Sequence, residues 1–215
     1  MSEDGRYIRD HVSNEGYRRL LAIASLDGLV EASQLSRVLG GASSEVQLML
    51  TRILWEEYGS GKLERKHSTF FATMLDQMGL DSKPEAYFDL VPWEVLANIN
   101  HSFMVSEQKQ KFLRYVGGLL YIEVSVPGSF KNIKLAGERL GLSPDAIGYW
   151  DIHIKEDIRH GQWMLDDVAL PLVEKYDKDA WEIVLGYDQQ KFLSSRAFSS
   201  VVNSIQSCEN LVMQE

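Results

Sequence analysis

The segment YWDIHIKEDIRHG, residues 149–161, gathers His153, Asp157 and His160 within eight positions, with Tyr149, Trp150 and Trp163 beside them. Each residue of an α-helix turns by about 100°, which places these three side chains at roughly 0°, 40° and −20° on one narrow face. Tyr149 and Met164 continue the stripe, so the face bearing the ionisable groups is also the one expected to meet a core. A lone buried histidine is ordinarily a hydrogen-bonded core residue. Two imidazoles and a carboxylate on one buried stripe are a harder problem, because a buried carboxylate without a partner is strongly disfavoured. A metal ion between them satisfies all three at once. A solvated helix face with the same spacing is the competing reading.

Two further segments offer ligands of the same kind. In LLYIEVSVP, Glu123 follows Phe112, Tyr115, Val116, Leu119 and Leu120 at three-four spacing, which puts its carboxylate on the apolar side of its helix. A Glu that reaches out to water from a helix end is the plainer alternative. In WEEYGSGKLERKH, Glu56 and Glu57 precede Glu64 and His67. Helix geometry alone favours Glu64 with His67, an i, i+3 pair of the type used in di-metal four-helix bundles. Glu57 lies ten residues before His67 and reaches it only if Gly59 and Gly61 break the helix.

The elements that must position these groups all read as helices. Apolar residues recur at three and four along the chain, and no convincing alternating strand is found. Helices are expected at about residues 15–25 and 30–39, the second ended by Gly40 and Gly41. Another starts at a serine cap, Ser43 or Ser44, and runs toward Gly59. The segment from Lys62 resumes the helical period and stops at Gly79. A shorter segment lies between Pro84 and Pro92, and a helix capped by Ser106 is expected to close at Pro127. After a helix through Leu140 and Gly141, Ser143-Pro144-Asp145 supplies a cap with proline in the first turn, opening the helix that carries His153. Two final helices are expected at about 180–195 and 198–211.

With 215 residues, 45% of them apolar and 25% charged, the chain suits one well-buried all-α domain over residues 1–215. The net charge of −9 gives no positive field to draw nucleic acid or an anionic membrane, so neither is an expected partner. Cys208 is the only cysteine, which rules out an intramolecular disulfide or a thiolate cluster and leaves His and carboxylates as metal ligands. The polar start MSEDGRYIRDHVSNEG lacks the order of a signal peptide, and Tyr115–Phe130 is too short to span a bilayer, so a cytoplasmic location is expected. His11 and His101 fall outside the three segments and read as surface or structural. Met74, Met78 and Met104 read as core filling.

Taken in order and at these separations, EEYGSGKLERKH, LYIEVSVP and YWDIHIKEDIRHG resemble the haem-oxygenase-like di-iron oxidases, the iron-containing redox enzyme family. The likeness spans about residues 45–165. It implies a haem-oxygenase-like helical bundle and a ligand set of Glu57 with His67, then Glu123, then His153, Asp157 and His160. On this basis Glu57 displaces Glu64, which is kept as an additional ligand to test. The resemblance also implies two Fe(II) ions and O2 as co-substrate, with O2 activated through a peroxo-bridged diferric species. Three imidazoles and three carboxylates suit ferrous ions. Three carboxylates against two divalent ions leave a charge of about +1, which would favour a small carboxylate substrate, amino-acid-derived or fatty. Tyr58, Phe70, Phe71, Tyr121, Tyr149, Trp150 and Trp163 are candidate pocket walls, with plain core the simpler reading for each. The competing readings are a metal-independent or mononuclear protein of the same fold, similar to thiaminase-like or pyrroloquinoline-quinone-synthesis proteins, and a non-catalytic helical binding protein. A homodimer is one option for the assembly. A ferritin-like bundle is disfavoured because only one Glu-x-x-His is present.

Overall fold

The computed structural model describes residues 2–40 and 44–212, with side chains for all of these except 44 and 210–212. Ten α-helices and no strand occur among the described residues: α1 (Glu3–Asp10), α2 (Asn14–Gly28), α3 (Ser33–Val38), α4 (Ser44–Glu57), α5 (His67–Gln77), α6 (Trp93–Glu107), α7 (Phe112–Arg139), α8 (Gly148–Trp163), α9 (Leu170–Lys175) and α10 (Trp181–Val212). Serines open several of them. The Ser13 hydroxyl accepts from the Gly16 N–H at 3.0 Å, and Ser143 accepts from the Ala146 N–H at 3.3 Å ahead of a 3-10 turn that leads into α8. No helix among the described residues is long and apolar enough to cross a membrane.

The buried apolar residues form two clusters. One joins α1, α2, α5 and the start of α8 to the C-terminal part of α7, through Ile133 and Ala136. The other joins α3, α4, α9 and the turns after α8 to the N-terminal part of α7, through Val116 and Leu119. Helices α7 and α8 pass through both, and between their apolar ends each carries a polar middle: Glu123 on α7 and His153, Asp157 and His160 on α8. Burying those groups costs free energy that the flanking apolar surface offsets.

Several boundaries differ from the periodic reading. Ser106 does not cap α7; it sits in the last turn of α6, a helix the pattern did not separate, with its hydroxyl donating to the Phe103 carbonyl. Helix α7 also does not close at Pro127. Proline offers no N–H to the Glu123 carbonyl four residues back, yet the helix continues because Ile133, Ala136 and Gly137 are buried on its far half. At the same point Gly161 of α8 comes up to that carbonyl, where a β-carbon would stand 3.3 Å from the oxygen. The segment from Lys62 is not helical until His67; a 3-10 turn over Leu63–Arg65 precedes it. The expected helix at 30–39 is shorter, Ser33–Val38, and the two final helices are one, α10. Helix α1 was not anticipated. Gly41 and Ser43 lie outside the described residues, as does the side chain of Ser44.

Close packing of α10 on α7 holds the bundle together. A β-carbon on Gly186 would lie 1.9 Å from the Arg114 carbonyl oxygen, and one on Gly117 would lie 1.9 Å from that of Ile183. Backbone cannot yield as a flexible side chain can, so Gly186→Ala is expected to destabilise the fold by about 3 kcal/mol or more. Exposed Gly128, with nothing within 4 Å of its missing β-carbon, provides the contrast. Gly128→Ala should gain roughly 0.5–1 kcal/mol from helix propensity. Thermal melting of both variants checks the pair.

Candidate metal centre

All six residues selected in the sequence converge on the polar middle of α7 and α8. Glu57, His67, Glu123, His153, Asp157 and His160 are each no more than 8% exposed. Glu57 is the last residue of α4 and His67 the first of α5, joined by a loop in which Gly59 and Gly61 adopt φ of 66° and 80°, and Ser60 φ of 52°. This reversal brings the Glu57 Oε2 to 2.8 Å from the His67 Nδ1. Glu64, by contrast, lies on the exposed 3-10 turn and takes no part.

Glu57 faces both halves of the cluster. Its other oxygen is 3.4 Å from the His160 Nδ1, which also lies 3.5 Å from a Glu123 oxygen and 3.7 Å from the Asp157 Oδ1. The His67 Nδ1 is 3.1 Å from the His153 Nε2. Two groups of atoms are thus close enough to share an ion: Glu57, Glu123 and His160, and Glu31, Glu57, His67 and His153, each within 4.8 Å of one another.

Glu31 is the ligand candidate that sequence reasoning missed. It lies in the turn between α2 and α3, next to Ala32 with φ of 62°, and its Oε1 is 2.6 Å from the His153 Nε2. The Tyr149 hydroxyl donates to the same oxygen at 3.0 Å. Gly28, the last residue of α2, was the available signal that Glu31 belongs to a connection rather than to a helix.

Each imidazole presents one nitrogen to the cluster and has the other tied outside it. The His153 Nδ1 donates to the Tyr149 carbonyl at 2.8 Å, the His67 Nε2 meets Glu156 at 3.1 Å, and the His160 Nε2 meets Glu56 at 3.0 Å. Outer partners of this type fix which nitrogen is free to bind a metal. Glu56, Glu156 and His160 form a third acidic grouping, but Glu56 is already paired with Arg159, so we read it as support for the imidazoles.

The unmet valences point inward. The Asp157 Oδ1, His160 Nδ1 and Glu31 Oε2 are buried and have no hydrogen-bond partner. Native proteins rarely leave such atoms unsatisfied, and cations held beside Glu31 and beside Asp157 and His160 would satisfy them. Without one, protons take over the role. Burial opposes charge on His67 and His160, but the carboxylates beside them, Glu156 and Glu57 at His67 and Glu123 and Glu57 at His160, push both up to about 11. His153 is also disfavoured by burial and is raised to about 9 by Glu31. Burial and the Glu123 charge push Asp157 up to about 8. Glu57 moves the other way: burial would raise it, but the His160 and His67 rings beside it hold it far below the usual carboxylate range. A mixed set of imidazoles and carboxylates that must shed protons to bind a metal fits ferrous iron.

Residues 18–189, most of the chain, match the model of a family described as iron-containing redox enzymes. The chain belongs to that family. As a family member it is 31% identical to nitrosourea synthase from Streptomyces achromogenes subsp. streptozoticus over 169 residues, 78% of this chain and 36% of the relative. It therefore spans about a third of the length of that protein. A crystal structure of a domain of unknown function with a heme oxygenase-like fold, from Shewanella denitrificans OS217, superposes with a TM-score of 0.72 at 14% identity, covering 97% of this chain and 87% of that one. The fold is accordingly the all-α, heme oxygenase-like bundle.

The candidate aromatic residues divide between site and core. Tyr149 borders the site, joined by Phe130, whose ring centroid is 5.4 Å from that of His153. Phe71 and Trp150 are core, and Tyr58 is exposed beneath the Lys66 ammonium. Trp163 closes the outer side of His160, with Arg52 4.0 Å above its ring. Met104 is half exposed and fills no core. The most direct check on the centre is the residue the sequence did not flag. Glu31→Ala is expected to lower iron content, while Glu64→Ala leaves it unchanged; metal analysis of anaerobically loaded protein reads both.

Proposed function

We propose that the protein is an O2-dependent non-haem di-iron oxidase acting on a small polar substrate. The observation that carries this reading is the pair of ligand groups sharing Glu57, with orphaned buried atoms on Asp157, His160 and Glu31. His67, His153 and Glu31 would hold one ion and His160, Glu123 and Asp157 the other, with Glu57 offering one oxygen to each. When bound, two ferrous ions would supply two electrons to O2, one from each ion as it becomes ferric. The chain's own part is to keep the imidazoles neutral and oriented through Tyr149, Glu156 and Glu56, to exclude bulk water with Phe130, Tyr149 and Trp163, and to hold the substrate beside the ligands.

The place for a substrate is a cavity of about 340 Å³ against Glu31, Glu57, Glu123, His153 and Asp157. Its size admits a molecule of amino-acid dimensions. With Glu31 included, four carboxylates balance two divalent ions, and the charge of +1 that favoured an anionic substrate is gone. A long fatty chain is also a poor match, because Asn98, Ser102, Gln190 and Ser194 make one wall polar. A nitrosourea contains an oxidised nitrogen, so N-oxidation is the chemistry to test first.

Anaerobic loading with ferrous iron, metal analysis and a single exposure to O2 test the reading. Two irons per chain and O2 consumption that follows iron content are expected. One iron or none, or O2 uptake that does not follow iron content, would overturn it in favour of a mononuclear or metal-independent protein of the same fold.

A further inference from the structure

The cavity occupies one side of the metal centre, and a different side comes close to the surface. His67 and His160 do not line the cavity. Their outer nitrogens meet Glu156 and Glu56, whose side chains are 30% and 18% exposed, so a single carboxylate stands between each imidazole and solvent. Beside Glu56, the Trp163 ring lies 5.7 Å from that of His160, with the guanidiniums of Arg52 and Arg159 4.0 and 5.0 Å from its centre. Arg159 also pairs with Glu56, and Trp55 lies so close against Gly61 that a β-carbon there would stand 2.7 Å from its ring. The end of α4, the loop over residues 58–66 and the outer side of α8 therefore form one face.

Two properties of this face go together. It is basic in a chain whose net charge is −9: Arg52, Lys62, Arg65, Lys66 and Arg159 stand against Glu56, Glu64 and Glu156, and two of those carboxylates are turned to the imidazoles. It is also apolar, with Leu63, Ile158 and Trp55 at 74%, 67% and 56% exposure. Asp167 bounds it beyond Arg52. Exposed apolar side chains rimmed by charge of one sign mark an interaction site, and the charge selects a partner of the opposite sign. Arg and Trp are also the residues most often found at the energetic centre of such contacts.

We propose that this face receives an acidic protein that donates electrons one at a time, and that these electrons reach the centre across Trp163 and His160. The inference rests on the di-iron reading. When one atom of O2 is inserted into a substrate N–H bond, the N–H and O–O bonds break and N–O and O–H bonds form, while the second oxygen atom leaves as water. Forming that water takes two protons and two electrons beyond what the substrate supplies. Two successive encounters with a one-electron donor deliver the electrons, the donor being oxidised once at each. Contacts of this type are small and short-lived, so steering by charge matters more than tight packing. Docking here also leaves the cavity free, because none of the basic residues of the face lines it.

Plant-type ferredoxin, a small acidic iron–sulfur protein that carries one electron, is the probe. Its binding to anaerobic, ferrous-loaded protein is measured by calorimetry at low and at physiological salt. Its reduced form is also mixed with the oxidised protein under stopped flow, with the ferredoxin's own absorbance as the signal. Lys62→Glu/Arg65→Glu is compared with wild type and with Lys178→Glu/Lys191→Glu, which makes the same change of charge at exposed residues elsewhere. Iron content, melting temperature and the extent of reduction by excess dithionite are measured on the same samples. At low salt, wild type is expected to bind ferredoxin and take its electrons at least about tenfold better than Lys62→Glu/Arg65→Glu, and to differ from Lys178→Glu/Lys191→Glu by less than about twofold. The advantage should shrink as salt rises. Equal binding by all three proteins, no binding by wild type, or electron uptake indifferent to salt would each overturn the proposal. So would a wild-type dimer in sedimentation that Lys62→Glu/Arg65→Glu abolishes, since it gives the face to a second copy. A chain that takes up no iron would sink the di-iron reading instead, while the binding titration still decides the docking surface.

Discussion

His160→Ala is expected to keep the helical bundle and lose the metal centre. The His160 ring is fully buried, and its Nδ1 is the one nitrogen within 4 Å of all three of Glu57, Glu123 and Asp157. Removing it leaves three carboxylates around one space with no imidazole to bind an ion on that side. It also removes one partner of Glu56, which keeps its pairing with Arg159. Breaking a buried charged network in this way is worth about 3–5 kcal/mol. In metal binding that corresponds to a loss of at least about a hundredfold, so iron content should fall to one per chain or less and O2-dependent turnover should disappear. His11→Ala, in an exposed residue at the end of α1, is the control and should retain full iron. Metal analysis beside circular dichroism separates loss of metal from loss of fold. A His160→Ala protein holding two irons would show that the ligand assignment is wrong.

The second large effect lies in the pH dependence of stability with and without iron. In the metal-free chain His67 and His160 are raised to about 11 and His153 to about 9, all from 6.5, and Asp157 is raised to about 8 from 3.8. All four groups therefore bind protons more tightly in the folded chain than in the unfolded one. Their contribution is fully present below the unfolded values and is lost as pH rises through the folded ones. Glu57, shifted downward, acts only below its ordinary range and does not enter this window. The metal-free protein should lose stability between about pH 6 and pH 9, and a loss of about 3 kcal/mol would lower its melting temperature by about 10 °C. Iron displaces the same protons, so its affinity rises over that range and the loaded protein should melt at a nearly constant temperature. The stabilisation by iron is then largest at high pH. Paired melting curves across the range check this, and a metal-free protein whose stability is flat or rises with pH would refute it.

What was legible in the sequence is what depends on one helix at a time. The spacing of His153, Asp157 and His160 fixes a shared face whatever surrounds it, because helical rotation is a local property. Glu123 on the apolar side of α7 follows by the same rule. The pairing of Glu57 with His67 was harder: geometry along a continuous helix favours Glu64, and only the reversal at Gly59–Gly61 makes the ten-residue interval short in space. The family likeness supplied that choice before the fold did. Where local rules were trusted too far, packing prevailed. Helix α7 runs through Pro127, and α10 continues unbroken, because buried surface on both sides outweighs the local cost. Glu31 falls inside the helix expected at about 30–39; Gly28 signals a connection there, but nothing along the chain says what that connection meets. Glu31 becomes a candidate ligand only because the bundle lays the α2–α3 turn against His153, 122 residues away. Faces and periodicities are properties of the chain, whereas ligand counts and charge balance are properties of the space between helices, and only the tertiary structure decides them.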